Sequence, residues 1–216
     1  MTLKKFFFTL AVISFTASVN AQIVSSNSRN VESEPGTYPD YNRLSAYYQS
    51  FKLSANGMET NSVGGVQLEY LHGFNVVKTQ PLYIETGLSV SYDDGDTKTL
   101  EIGKVKAVRI NIPASLAYKY TLPSVEGLWV QPYAGLDLIG NPYLYARGET
   151  LEGEGVKRIQ GGWHAGVNLG YKKINIGIKY SSDFTDMNIV ESGSYYKSEA
   201  YHVKSSTFSI GVGINF

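Results

Sequence analysis

The residues that could do chemistry in this 216-residue chain are few. There are three histidines, His72, His164 and His202, and no cysteine. The missing thiols exclude a disulfide scaffold, a thiolate metal site, a cysteine nucleophile and a lipid anchor on an N-terminal cysteine. None of the histidines has a histidine, aspartate or glutamate at metal-ligand spacing, so all three are read as structural and no metal or cofactor is expected. Serine is so abundant that a Ser–His pairing is uninformative from sequence, and no enzyme activity is expected. A barrel hydrolase would need a serine, a histidine and a carboxylate together at one rim.

The elements that would position any such group follow a repeated alternation. Lys4 and Lys5, the apolar run Phe6–Phe15 and the small residues Val19-Asn20-Ala21 have the layout of a cleaved secretory signal, residues 1–21. Residues 22–40 are polar, carry Pro35, Gly36 and Pro39, and read as a flexible leader. Without Lys4 and Lys5 the chain keeps 17 basic against 19 acidic residues, which gives no support to nucleic-acid binding. No later stretch reaches the roughly 20 apolar residues of a membrane helix.

From Tyr41 onward, period two recurs eight times. In "LYIETGLSVSY", Leu82, Ile84, Leu88, Val90 and Tyr92 oppose Tyr83, Glu85, Gly87, Ser89 and Ser91. "AVRINIPASLAYKYTL" sets Val108, Ile110, Ile112, Ala114, Leu116, Tyr118 and Tyr120 against Arg109, Asn111, Ser115 and Lys119. The last segment, "STFSIGVGINF", places Phe208, Ile210, Val212, Ile214 and Phe216 on one face. The first segment, Tyr41 to Leu53, is ambiguous: Leu44, Ala46 and Tyr48 compete with Tyr47, Phe51 and Leu53, and its register is not fixed. Pro113 and Pro132 fall inside strands, where each predicts a bulge or a local loss of pairing. Connections alternate between short ones ("PSVEG", Lys172-Lys173) and long polar ones ("DDGDTKTLEIGKV", "IGNPYLYARGETLEGEGVK", "DFTDMNIVESGSYYKSEA"), with "HGFNVVKTQP" as an exception.

Alternation alone fits a membrane barrel or a soluble one with its apolar face inward. The polar face carries Gly87, Gly135, Gly162, Gly166, Gly170, Gly177, Gly211 and Gly213, which suits a crowded concave interior better than a solvated surface. The apolar face ends in aromatics suited to headgroup level. The expectation is an all-β fold, an eight-stranded antiparallel transmembrane up-and-down barrel over 41–216. Its lumen would hold a polar network of Glu69, Glu85, Arg109, Lys119, Asp137 and Lys179, a side-chain plug filling a barrel of this size.

With these residues in place the chain resembles the small outer-membrane β-barrels of the porin family, OmpA- and OmpX-like, of Bacteroidetes type. The resemblance rests on the signal ending at Ala21, the alternating strands and the final strand ending on Phe216. It implies an outer-membrane location, and it implies that Phe208, Ile210, Val212, Ile214 and Phe216 are read by the barrel-assembly machinery. Outer-membrane lipid and lipopolysaccharide would be the surroundings, and acidic "GETLEGEG" could meet divalent ions there, although it lacks a calcium-loop pattern. Tyr143, Tyr145 and Arg147, with Tyr195 and Tyr196, suit recognition of a surface ligand or simply extend the strands above the membrane. The expected role is structural or surface-interactive. The rivals are a narrow pore for small solutes, a barrel-embedded lipid- or peptide-modifying enzyme, and a soluble binding barrel with inverted faces.

Overall fold

The computed structural model describes residues 37–55, 58–59, 61–97, 103–146, 149–150, 159–185, 187–189 and 201–216. The expected signal and most of the leader, as well as Arg147, Tyr195 and Tyr196, lie outside the described residues. Eight long strands follow one another: β1 Tyr41–Ala55, β2 Val63–Asn75, β3 Leu82–Thr97, β4 Gly103–Tyr118, β5 Leu128–Ala146, β6 Ile159–Tyr171, β7 Ile174–Asp183 and β8 Tyr201–Asn215. Each pairs antiparallel with its sequence neighbour, and β8 returns to β1 along thirteen residue pairs, from Arg43↔Asn215 to Ala55↔Val203. Closure leaves no free edge, so the backbone of every long strand has a partner on both sides. Short pieces at Met58–Glu59, Tyr120–Thr121, Glu149–Thr150 and Met187–Ile189 extend the ladders.

The registers fix the barrel's dimensions. One chain of opposed residues runs Tyr41, Gly73, Glu85, Ser115, Gly135, His164, Ser181, Thr207 and back to β1 at Phe51, ten residues above its start. With ordinary strand rise and spacing, that stagger over eight strands gives a tilt of about 41° and a backbone radius of about 8 Å. Such an interior has room for side chains and little else.

The faces fall as the alternation requires. Leu68, Leu88, Leu116, Leu136, Leu169, Ile176 and Ile210 point outward and are exposed, whereas Glu69, Glu85, Gln131, Asn168 and Lys179 are buried inside. The first strand resolves in favour of its odd residues. Tyr41, Arg43, Ser45, Tyr47, Gln49, Phe51 and Leu53 face the lumen. The choice follows from chemistry: only that register buries Arg43 and Gln49 among partners. One expected outward residue departs, since Val108 is buried. It adjoins a register shift, where Arg109 alone on β4 opposes Asn141 and Pro142 on β5.

Both flagged prolines cause loss of pairing without a shift in register. Opposite Pro113 the β3–β4 ladder lapses between Thr86↔Ala114 and Ser89↔Asn111, while Pro113 stays aligned with Asp137 on its other side. Beside Pro132 the ladder lapses between Ala117↔Tyr133 and Tyr120↔Val130. Connections at the end that carries Tyr41 and Asn215 are the short ones, residues 76–81 and Lys172–Lys173 among them. At the other end the strands run further than the polar composition suggested. β3 and β4 take in most of "DDGDTKTLEIGKV", with Thr97 paired to Gly103, and β5 reaches Ala146, so Tyr143 and Tyr145 are strand residues paired with Val108 and Lys106 rather than loop residues.

Candidate functional site

Inward-facing side chains stack in layers along the lumen. At the end with the short connections, Tyr41, Tyr83, Ala117 and Tyr133 form a buried cluster against which Tyr38 packs. The Tyr41 and Tyr83 rings meet edge-on with centroids 4.9 Å apart. Lys119, expected among the ionic network, instead lies over the rings of Trp129 and Tyr41, at 4.4 Å and 5.3 Å. Gly170 makes this possible, because the Trp129 ring occupies the space where a side chain at 170 would stand.

Above this floor Arg43 and Glu85 are both fully buried. Arg43 Nη2 lies 3.1 Å from Glu85 Oε1 and donates to Oε2 at 3.2 Å, and Nη1 donates to Gln131 Oε1 at 2.9 Å. The Tyr41 hydroxyl also donates to Glu85. A carboxylate from β3, a guanidinium and a phenol from β1 and an amide from β5 thus bond to one another across the barrel. The next layer joins Lys179 of β7 to Glu69 of β2 at 2.5 Å, with Lys179 Nζ 4.8 Å from the centre of the Tyr47 ring. Toward the far end Arg109 pairs with Asp93 at 3.2 Å, donates to Thr207 Oγ1, and lies 4.4 Å over Phe51. Gln49 donates to the same Asp93 at 2.6 Å, and Asp183 accepts from the hydroxyl and amide of Ser205. Lumen charges taken out of water are tolerable only when paired and hydrogen-bonded in this way.

One cluster has the geometry of a nucleophile, a base and an orienting carboxylate. Ser115 Oγ lies 2.6 Å from His164 Nε2, and His164 Nδ1 lies 2.9 Å from Asp137 Oδ2. With its proton on Nδ1 the imidazole donates to Asp137 and accepts from Ser115. The three residues come from β4, β6 and β5. Ser115, Gly135 and His164 stand opposite one another on consecutive strands, and the two side chains meet over Gly135, where a Cβ would press on the backbone of Ala114 and Ser115. A rim position was the expectation for any such cluster. It lies in the lumen instead, with Ser115 4% and His164 3% exposed.

The lumen places Glu69, Glu85, Arg109 and Lys179 in ion pairs and Asp137 in a hydrogen bond with His164, and it adds Arg43, Asp93 and Ser115 to them. Arg43 was hidden by the unresolved register of the first strand. Asp93 was hidden in a stretch whose charge and glycine imitated a loop. The Ser115–His164 contact had a signal only in the register, a glycine flanked on both neighbouring strands by inward polar residues. Phe208, Ile210, Val212 and Ile214 point outward from β8, and Phe216 closes the strand through paired backbone bonds with Asn42. Among the described residues no group of three histidines, aspartates or glutamates could hold a metal.

No protein-family model matches the chain, and no curated protein does. Among solved structures it is similar to Ail, the attachment invasion locus protein of Yersinia pestis, with 13% identity over 83% of this chain and 100% of that one and a TM-score of 0.50. It is also similar to the outer membrane protein OprG from Pseudomonas aeruginosa, with 13% identity over 83% of this chain and 97% of that one and a TM-score of 0.51. At such identity the likeness is one of fold, the closed eight-stranded antiparallel barrel.

Proposed function

We propose that this protein is an outer-membrane barrel with a structural or surface-interaction role and a lumen closed by its own side chains. The observation that carries the reading is the stack of cross-lumen ion pairs, Arg43–Glu85, Lys179–Glu69 and Arg109–Asp93, set inside an outward surface that is apolar around its whole circumference. An apolar exterior of this extent supports a lipid surrounding, and closed barrels are how strands satisfy a bilayer. Location in the outer membrane, contact with lipopolysaccharide, delivery by the barrel-assembly machinery and the Bacteroidetes-type porin family belong to the same proposal. They rest on the fold, the signal-like start and the outward aromatic-ended β8. Recognition of a surface ligand by Tyr143 and Tyr145, which reach beyond the bulge at Asn141 and Pro142, belongs to it too.

Reconstitution in planar bilayers tests the closed lumen. The expected result is no stable channel current from folded protein, verified by its mobility shift on boiling. Regular single-channel steps would replace this reading with the narrow solute pore.

The Ser115–His164–Asp137 cluster favours a second reading, a barrel hydrolase. Geometry opposes it. The hydroxyl is buried midway between ion-paired layers, where a scissile carbonyl would have to displace them. On the closed-barrel reading, a fluorophosphonate probe leaves Ser115 of the folded protein unmodified. Labelling that vanishes in Ser115→Ala would make the hydrolase the better account.

A further inference from the structure

The apolar surface of the barrel does not end at one height all round. The registers rank outward residues along the barrel axis: each step to the next strand along the chain of opposed residues climbs about 3 Å, and each residue along a strand about 2.5 Å. Counted from the opposed residues Glu85, His164, Thr207 and Phe51, the outward residues Asp94, Ile159, Phe184, Lys204 and Lys52 lie within about 3 Å of one height. There β8, β1 and β3 carry charge, with Ser206 and Ser50 just below. β6 and β7 carry none. Ile159 is 68% exposed and Phe184, directly after β7, is 53% exposed. The Phe184 ring occupies the space outside Gly161, and its amide donates to the Gly161 carbonyl. Below them the exposed rings of Trp163 and Tyr180 pack with centroids 5.6 Å apart. Apart from tyrosine hydroxyls, Ser182 is the one polar side chain facing outward from β6 or β7 among the described residues.

At the end with the short connections the pattern is reversed. The β2–β3 hairpin stands half the circumference away from β6–β7. Its turn exposes Val76 and Val77, whereas the β6–β7 turn exposes Lys172 and Lys173 at about the same level. The polar outward pair on the β2 side, Asn42 and His72, is closed on itself: His72 Nδ1 and the Tyr70 hydroxyl both lie 2.8 Å from Asn42 Oδ1.

A bilayer lying square to the axis cannot cover Ile159 and Phe184 without also covering Lys52, Lys204 and Asp94, and charge carried into hydrocarbon is costly. A leaning barrel covers the first pair and spares the charges. The same lean takes Val76 and Val77 into the opposite leaflet and lifts Lys172 and Lys173 out of it. We infer that the far end of β6 and β7 is a lipid-docking surface, sunk in its leaflet while the rim from β8 through β1 to β3 stands in water. An offset of about 5 Å across a barrel about 16 Å wide makes the lean roughly 15–20°. The occupant is acyl chain, because the patch is continuous with the lipid-facing Trp163, Tyr180 and Phe208 beneath it and because both ends of the barrel call for the same lean. The inference rests on the membrane reading and adds to it which side of the rim faces water.

The chain has no cysteine, so single cysteines carrying a nitroxide report depth without background. Phe184→Cys, Lys52→Cys, Val76→Cys, Lys173→Cys and Leu136→Cys are folded into phosphatidylcholine vesicles, and each label is exposed to oxygen, which concentrates in hydrocarbon, and to a nickel chelate, which stays in water. The expected result is an oxygen-to-nickel accessibility ratio several-fold higher at 184 than at 52, and several-fold higher at 76 than at 173. Equal ratios within each pair would overturn the lean. A label at 184 shielded from both reagents would replace the acyl chain with a protein contact and overturn the lipid surface. Ile159→Cys repeats the measurement if Phe184→Cys gives no boiling-sensitive folded band. Leu136→Cys separates the two readings: a hydrocarbon-like label there with a water-like one at 184 discards the lean and keeps the membrane barrel, whereas a water-like label at 136 discards both.

Discussion

At the scale of single residues, the lumen's ion pairs are tied to specific partners and their energetics are asymmetric. Glu85 receives Arg43, Tyr41 and Gln131 together, so removing Arg43 leaves a carboxylate in a fully buried place with two neutral donors and no counter-charge beside it. Arg43→Met should cost about 3–5 kcal/mol, whereas Arg43→Met with Glu85→Leu should recover much of that, because no uncompensated charge remains. Urea unfolding from lipid vesicles measures both, and a double variant as damaged as the single one would refute the pairing. The same asymmetry orders the Ser115–His164–Asp137 set. Ser115→Ala deletes one neutral hydrogen bond and should cost about 1 kcal/mol. His164→Ala strands Asp137 and should cost about 2 kcal/mol more, since a buried carboxylate loses its partner. Equal costs would mean that Asp137 is satisfied by something other than the imidazole.

At the scale of strands, glycine decides which side chains meet. A methyl group at Gly135 would stand 2.2 Å from the Ala114 carbonyl oxygen and 2.6 Å from the Ser115 Cα, both backbone atoms that cannot step aside. At Gly140 on the same strand the nearest atom is 3.6 Å away. Gly135→Ala should therefore abolish the boiling-sensitive folded band or cost about 3 kcal/mol, while Gly140→Ala stays within about 0.5 kcal/mol. Equal behaviour of the two variants would show that β4 and β5 do not approach as described. Much of this level was legible in the sequence. The faces of β3 to β8 follow from alternation, and the prolines announced where the ladders lapse, because a missing N–H is a local and unconditional fact. The first strand was not legible, since tyrosine and phenylalanine suit both a lipid face and a crowded lumen; only partners on other strands, Glu85 for Arg43 and Asp93 for Gln49, choose between them. Strand ends were not legible either. "DDGDT" is loop-like by composition but pairs through Thr97, because charged residues are tolerated where a barrel rises past its apolar belt. The layers of the lumen were out of reach for a deeper reason: contacts such as Lys179–Glu69 depend on the ten-residue stagger of the whole barrel, which no local pattern encodes.

At the scale of the whole molecule, one question governs every other, which medium meets the outer face. Both a membrane barrel and a water-soluble one would present alternating strands, and burial alone says only that the polar face is inside. The outer face answers by its continuity: Leu88, Leu116, Leu136, Leu169, Ile176 and Ile210 come from six different strands and are all exposed. In water such a belt would aggregate. Leu136 makes the sharpest probe, because it lies midway along β5, is 61% exposed, and has no lumen contact to lose. In a bilayer, Leu136→Arg carries a guanidinium toward the hydrocarbon midplane and should cost about 2–4 kcal/mol, falling toward about 0–1 kcal/mol for the same change at the strand ends. In a soluble barrel an outward arginine would change stability by less than about 0.5 kcal/mol at any depth. Urea titrations of Leu136→Arg and Leu128→Arg in lipid vesicles therefore read the medium directly. A depth-dependent penalty places lipid against the outer face, and a flat, small effect would mean that the exposed apolar belt meets something other than a membrane.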